Sequence, residues 1–182
     1  QGRMTLSQSY DESYDTAGAL ITRIEREKQY IYDETGKLVS SKYTGKWFNA
    51  DNVLYRLEEG TGTYTYDANG NKIKWEETCN AYDGSNVLLG TDYYKEIYEN
   101  GKTVERMTVK RNGSGNLTYK EIIYYRYYAS GHMSLMEKHY YSEYGPNRQE
   151  LDKEVYWEEF YDTCLIKNEH SEHYEYQIIG EN

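Results

Sequence analysis

The sequence predicts an all-β protein, an antiparallel meander of about ten long strands in one open or half-curled sheet, with a closed up-and-down β-barrel as the alternative. Three observations support this prediction. Polar and apolar residues alternate over most of the 182 residues, which is the period of a strand with two different faces. Glycines next to Asn or Asp interrupt the alternation at short intervals. One such turn phrase recurs at a nearly constant spacing.

The recurring phrase joins a tyrosine to a turn. It is written "YIYDETGKL" around Tyr32, "YTYDANGNK" around Tyr66, "EIYENGKTV" around Tyr98, "YRYYASGHM" around Tyr128 and "EEFYDTCLI" around Tyr161. The steps between these tyrosines are 34, 32, 30 and 33 residues. This spacing, combined with a local period of two, predicts a repeat whose unit is a β-hairpin and its return strand.

A second set of turn signals lies between the phrases, at "FNADN", "YDGSN", "NGSGN" and "YGPNR". The two sets alternate along the chain, so the strands follow one another through tight turns and are antiparallel neighbours. The predicted strands are 18–33, 37–48, 53–67, 72–82, 87–99, 103–111, 116–128, 132–142, 151–162 and 164–179. The single proline, Pro146, lies in a predicted turn, where it removes no ladder hydrogen bond.

Each phrase carries residues that suit a tight turn. Because glycine accepts a positive φ without strain, four glycines are predicted to be structural turn residues: Gly36, Gly70, Gly101 and Gly131. The paired tyrosines of the first two phrases share a strand face by parity. We expect these rings to form an aromatic ladder that stabilises the sheet; they are Tyr30, Tyr32, Tyr64 and Tyr66.

The composition predicts a thin sheet rather than a thick aliphatic core. The chain has 24 tyrosines but only 2 phenylalanines, and a tyrosine ring suits a half-buried pleated surface. Its 31 acidic residues outnumber 21 basic ones, for a net charge of -10. We therefore expect no nucleic-acid partner. No apolar run is long enough to span a membrane.

The chain begins at Gln1 rather than Met, which favours an exported protein whose signal segment has been removed. Residues 1–17 are polar and are expected to form a flexible tether, with a lipid anchor upstream of residue 1 as an option. Residues 18–182 are expected to form a single β-repeat domain. The predicted location is extracellular, on the cell surface or in the periplasm.

The phrase "YTYDANGNK", and more loosely "YIYDETGKL", resembles the YD repeats of the Rhs family. The resemblance implies an array of β-hairpins and a bacterial secreted or cell-surface setting, but it implies no activity. Rhs repeats are more numerous and wind into a large shell, which five units cannot form. The phrases are also similar to those of small secreted proteins of unknown function from gut Bacteroidales.

Metal and thiol sites have weaker support than structural explanations of the same residues. Asp67, Asn69 and Asn71 have the spacing of calcium ligands, but a hairpin turn uses these residues equally well. Cys79 and Cys164 are far apart in an open meander, so we expect two free thiols. We predict no metal site and no cofactor.

The sequence contains no catalytic motif that we can assign, so we predict no catalytic residue and a non-enzymatic protein. The favoured function is an interaction module that presents a tyrosine-rich, acidic sheet face to a glycan or a protein. The candidate binding residues are Trp47, Trp75, Tyr93, Tyr125, Tyr127 and Trp157. The alternative is a carrier, in which a curled sheet or barrel encloses a small apolar compound.

Overall fold

A computed structural model describes residues 3–143, 151–160 and 166–176, with side chains for residues 3–140. This part of the chain forms one sheet of eleven antiparallel strands in chain order, which confirms the predicted open meander. The strands are β1 (Met4–Tyr14), β2 (Leu20–Tyr32), β3 (Leu38–Asn49), β4 (Leu54–Tyr66), β5 (Lys72–Asp83), β6 (Leu88–Glu99), β7 (Lys102–Asn112), β8 (Leu117–Tyr127), β9 (Met133–Glu143), β10 (Leu151–Phe160) and β11 (Ile166–Tyr176).

The sheet is open because its edge strands, β1 and β11, do not pair with each other. The barrel that was the alternative is therefore not formed. The accessible surface is 12129 Å², about a third more than the roughly 9,200 Å² expected of a compact protein of this mass. Long strands with two exposed faces account for the difference.

Strand β1 corrects the expectation of a flexible tether over residues 1–17. Residues Met4–Tyr14 are extended and pair with β2 from Met4 opposite Ile31 to Tyr14 opposite Leu20. The apolar residues Met4, Leu6, Tyr10 and Tyr14 all have the same parity, as a strand requires. The polar residues between them gave this stretch its resemblance to a tether.

Seven hairpin turns in the described ranges have the same backbone design. At Asp67, for example, the backbone N–H donates to Asn71 O at 2.9 Å and the carbonyl accepts from Gly70 N–H at 3.0 Å. This is a three-residue loop closed by a bulge. The last of the three loop residues needs a positive φ. That position is occupied by Gly18, Gly36, Asn52, Gly70, Asn86, Gly115 and Gly131.

The aspartate of the phrase holds its own turn together. Asp67 Oδ1 accepts backbone N–H groups from Asn69 at 2.9 Å and Asn71 at 2.8 Å. The Asn71 side chain also donates to Asp67, and these hydrogen bonds lower the pKa of that carboxyl. The turn between β6 and β7 differs, since Asn100 and Gly101 both have positive φ in a two-residue loop. The candidate calcium ligands are thus hydrogen-bonded turn residues.

Tyrosines of the phrase connect neighbouring repeats at one end of the sheet. Tyr66 Oη donates to Leu38 O at 2.8 Å, and Lys37 Nζ lies 5.5 Å from the centroid of the Tyr66 ring. Lys37 belongs to the preceding phrase, so each contact crosses from one repeat to the next. The same lysine-over-tyrosine contact joins Lys72 to Tyr98 at 3.8 Å and Lys102 to Tyr127 at 4.9 Å. These lysine–tyrosine contacts replace the expected ring-on-ring ladder of Tyr30, Tyr32, Tyr64 and Tyr66, which the described side chains do not form.

Cross-strand register places most large rings on one face of the sheet. We call this the groove face; it carries Tyr30, Tyr43, Trp47, Tyr64, Tyr66, Trp75, Tyr94, Tyr98, Tyr119, Tyr125 and Tyr127. The opposite face carries Tyr55, Tyr82, Tyr93 and Tyr124. Among the described side chains only Ser41 and Ile123 are buried, at 1% and 6% exposure, together with three glycines of the groove face.

Candidate functional site

An open groove of about 840 Å³ crosses the middle of the groove face. It extends from Lys28 on β2 to Thr118 on β8. Both aromatic and charged side chains line it, among them Tyr43, Trp75 and Tyr94. The groove is therefore an amphipathic surface that is open to solvent along its length.

A lane of bare backbone adjoins the groove. We call it the glycine lane; it consists of Gly45 on β3 with Gly60 and Gly62 on β4. All three glycines are buried. Aromatic side chains lie against Gly45 and Gly62, and the Cβ atoms of Tyr43 and Cys79 flank Gly60. A Cβ atom on Gly45 would be 2.6 Å from the Trp47 ring and from Tyr43 Oη. These two side chains therefore converge on Gly45 from its two sides along β3.

Trp75 covers the other end of the lane. A Cβ atom on Gly62 would be 3.3 Å from Trp75 Nε1 and 2.6 Å from Ser41 Oγ. Both of these atoms are buried and have no hydrogen-bond partner. The packing around Gly62 is consequently too tight to admit even a methyl group without a shift.

An ion pair spans the lane from side to side. Lys28 Nζ on β2 donates to Glu77 Oε2 on β5 at 3.0 Å, although β3 and β4 lie between these strands. The intervening residues at this level include Ser41 and Gly62, which offer no bulk to block the pair. Burial lowers the pKa of Lys28, but its hydrogen bond to Glu77 and the Glu77 charge outweigh this and raise it. Lys28 is therefore held as a cation above the lane.

Charges of both signs border the rings. Arg56 and Arg26 lie 5.6 and 6.0 Å from the Trp47 ring centroid and stack as cations near its face. Further along the groove, Tyr94 Oη donates to Asp92 at 3.0 Å. Burial, and then the Asp92 charge, raise the pKa of Tyr94 well above its ordinary value. The groove thus offers ring faces next to fixed hydrogen-bonding groups.

Most of the sequence-predicted binding residues share this face. Trp47 and Trp75 lie over the glycine lane, and Tyr125 and Tyr127 are on the same face at β8. Tyr127 is engaged in the sheet, since its Oη donates to Thr103 O at 2.7 Å. Trp47 and Trp75 thus share the glycine lane, whereas Tyr125 and Tyr127 lie near the turn end of β8.

Two of the proposed residues do not join them. Tyr93 is on the opposite face, where its Oη donates to Glu76 at 2.7 Å. Trp157 and Cys164 lie outside the residues with described side chains. The predicted absence of a Cys79–Cys164 disulfide therefore stays a prediction. Of the six predicted rings, Trp75 lines the groove and Trp47 lies at the Gly45 end of the glycine lane.

Sequence reasoning missed Tyr43, Tyr94 and the Lys28–Glu77 pair. A signal for Tyr43 was present in "YTGKW", where Tyr43, Gly45 and Trp47 share one parity and a glycine separates two rings. A glycine in this pattern marks a place where side chains approach the backbone. No local pattern indicates that Lys28 meets Glu77.

In the described part of the chain, no group of three or more His, Cys, Asp or Glu side chains is arranged to hold a metal ion. The same residues contain no helix with the length and apolar character needed to cross a membrane.

Cys79 is half-buried beside the glycine lane, and we expect it to be a slow nucleophile. Burial, and then the charge of Glu58, raise the pKa of its thiol to about 11. Near pH 8 this leaves roughly a hundredfold less thiolate than an ordinary cysteine has. Iodoacetamide should therefore alkylate Cys79 about a hundredfold more slowly in the folded Cys164→Ser variant than in the same variant in urea. Folded and unfolded rates within a fewfold of each other would contradict this.

No known protein family model, curated protein or solved structure matches this chain.

Proposed function

We propose that this chain is a non-enzymatic binding module, exported to the bacterial cell surface, whose groove binds a neutral glycan. One observation carries the proposal: the aromatic side chains of Tyr43, Trp47 and Trp75 lie along a lane of glycines beside an open groove, which Tyr43 and Trp75 line. The exported setting rests on the likeness of the turn phrases to YD repeats.

A glycan suits both the aromatic rings and the charged side chains of the groove. A pyranose ring has an apolar face of C–H groups, which stacks on the electron-rich face of an aromatic ring. It also has a rim of hydroxyls, which bond well to charged groups. The groove provides these next to its rings, in the side chains of Lys28, Glu58, Glu77, Asp92 and Lys110.

Charge favours a neutral chain over an anionic one. The net charge of -10 repels polyanions such as polyuronates. A protein partner is a poorer fit, since Lys, Glu and Asp are depleted from the centre of protein interfaces. A carrier for an apolar compound needs an enclosed apolar cavity, whereas this groove is open and charged.

Native gel electrophoresis through neutral polysaccharides tests the proposal. A β-glucan, a mannan and a xylan should be compared with a polyuronate and with a gel that contains no polysaccharide. We expect at least one neutral gel to retard the parent protein. Trp47→Ala and Trp75→Ala should each weaken this retention about tenfold or more, equivalent to about 1.4 kcal/mol of binding free energy.

The matched control is Tyr93→Ala, which removes a ring from the opposite face and should leave retention unchanged. Circular dichroism of each variant verifies that it is folded under the gel conditions. The proposal fails if no neutral polysaccharide retards the parent protein. It also fails if Tyr93→Ala abolishes retention while the two tryptophan variants retain it.

A further inference from the structure

The outer side of β1 is a free sheet edge along which the chain can pair with another strand. Within the described ranges β1 pairs only with β2. Tyr32 N–H donates to Arg3 O at 2.8 Å, and hydrogen-bonded pairs alternate along an antiparallel ladder. The odd residues of β1 therefore bond to β2. The even residues direct their N–H and C=O groups outward; they are Met4, Leu6, Gln8, Tyr10, Glu12 and Tyr14.

This edge has few of the features that normally block pairing. The eleven residues of β1 include no Lys and no Pro, which natural edge strands use to prevent association. Four of its side chains are instead large, apolar and exposed: Met4 at 63%, Leu6 at 54%, Tyr10 at 57% and Tyr14 at 54%. They all lie on the opposite face, where a neighbouring strand would cover part of each.

We propose that a second copy of this chain pairs with β1, antiparallel and about a two-fold axis at Ser9. In this register Met4 lies opposite Tyr14 of the second copy, and Gln8 lies opposite Tyr10. The outward-facing even residues of both strands then form hydrogen-bonded pairs, for about twelve new backbone bonds.

An attractive charge pair favours this register. With the axis at Ser9, Arg3 lies opposite Asp15 of the second copy, Asp11 lies opposite Ser7, and no like charges meet. An axis at Asp11 would instead place the two Asp11 carboxylates opposite each other. An axis at Ser7 would leave the last residues of β1 without a partner.

The other edge strand is a poorer partner for β1. Its sequence, "IKNEHSEHYEY", carries three glutamates, and β1 itself carries Asp11 and Glu12. Like charges across a strand pair are destabilising. Pairing of β1 with β1 also closes after two copies, whereas pairing of β1 with β11 would produce an open fibre.

The proposed dimer has a consequence for the groove. Antiparallel strands in one sheet are related by an axis perpendicular to that sheet, so both groove faces lie on the same side. If the groove binds a glycan, as proposed above, one dimer presents two binding surfaces to one polymer. The dimer itself does not depend on that function.

Disulfide trapping tests the register. In a Cys79→Ala and Cys164→Ala background, Ser9→Cys places its Cα about 4.5 Å from its mate, in a non-hydrogen-bonded pair. This distance is within the range of a disulfide, about 4.4–6.8 Å. We expect mild oxidation to convert most of this variant into a covalent dimer. The control is Ser13→Cys on the same strand and face, whose mate would be about 27 Å away.

A proline distinguishes pairing through the edge from other association. The N–H of Gln8 faces outward, so the only backbone bonds that Gln8→Pro removes are those between copies, and the ladder with β2 should stay intact. The side-chain bond from Gln8 to Glu27 is lost in Gln8→Ala as well. Light scattering after gel filtration should give twice the monomer mass for the parent and for Gln8→Ala at high micromolar concentration. For Gln8→Pro it should give the monomer mass. The melting temperature of Gln8→Pro should be close to that of Gln8→Ala measured after dilution to the monomer.

A monomeric parent protein would overturn the proposal. So would a Ser13→Cys variant that crosslinks as fast as Ser9→Cys, because the register would then be different. A Gln8→Pro variant that is folded and still dimeric would also overturn it, because the copies would then associate elsewhere.

Discussion

Replacing Gly62 by valine is expected to lower the free energy of unfolding by about 3 kcal/mol, at the upper end of the cost of overpacking. The first added carbon would lie 2.6 Å from Ser41 Oγ and 3.3 Å from Trp75 Nε1 and Glu77 Oε2. Ser41 is 1% exposed and cannot move aside into solvent. Relief of the clash requires Ser41 Oγ to rotate away inside a buried site, and the two further carbons of valine must displace Trp75 and Glu77 as well.

Thr63→Val is the matched control for this prediction, because it places a valine at the next position of β4. Thr63 is exposed on the opposite face, so its replacement should change stability by less than about 0.5 kcal/mol. Urea unfolding of both variants, followed by tryptophan fluorescence, measures the two effects. Equal stabilities for Gly62→Val and Thr63→Val would show that the lane tolerates a side chain.

The local design of the hairpins was predictable because turns depend on neighbouring residues. Asp67 bonds backbone groups two and four residues ahead, and Gly70 provides the positive φ three residues ahead. Both requirements can be recognised in the five letters "DANGN". Since the described connections from β1 to β9 are only two to five residues long, the order of these strands in the sheet follows directly from their order in the chain.

Strand β1 was missed although the same rule applies to it. Tyr14, Asp15 and Gly18 repeat the spacing of Tyr66, Asp67 and Gly70, and Asp15 Oδ1 accepts backbone bonds from Ala17 and Ala19. The turn between β1 and β2 lies at the opposite end of the sheet from the turns of the recurring tyrosine phrase. It therefore falls about half a repeat away from them along the chain. A search for the turn residues alone, without the period, would have identified it.

The site was less predictable because it depends on register. Lys28 and Glu77 are 49 residues apart and meet only because Ser41 and Gly62 lie between them across two strands. A shift of one residue in any of three ladders would send one partner to the other face. Parity alone could group Tyr43 with Trp47, but it could not place Trp75 over Gly62.

We expect the folded protein to lose stability steeply as the pH rises above about 10, the ordinary pKa of tyrosine. Burial, followed by hydrogen bonds or charges from carboxylates, raises the pKa of Tyr93 and of Tyr119 to about 12. Burial also raises the pKa of Tyr94 and of Tyr98 well above the ordinary value, with Asp92 and Glu96 as the next causes.

The direction of the effect follows from proton binding. Between about pH 10 and pH 12 the unfolded chain has released these phenolic protons while the folded chain retains them. The unfolded state then binds fewer protons, so the free energy of unfolding decreases as the pH increases. The contribution of these tyrosines is fully present below about pH 10 and is lost as the pH rises through their folded pKa values.

Melting followed by circular dichroism across this alkaline range, with tyrosinate absorbance recorded in parallel, measures both parts of the effect. The melting temperature should fall, and much of the tyrosinate signal should appear together with unfolding rather than before it. A Tyr94→Phe and Tyr98→Phe variant retains the rings but removes two of the ionising hydroxyls, so its melting temperature should depend less steeply on pH. If all of the tyrosinate signal appears near pH 10 while the strands remain folded, the hydroxyls are not protected and the prediction is wrong.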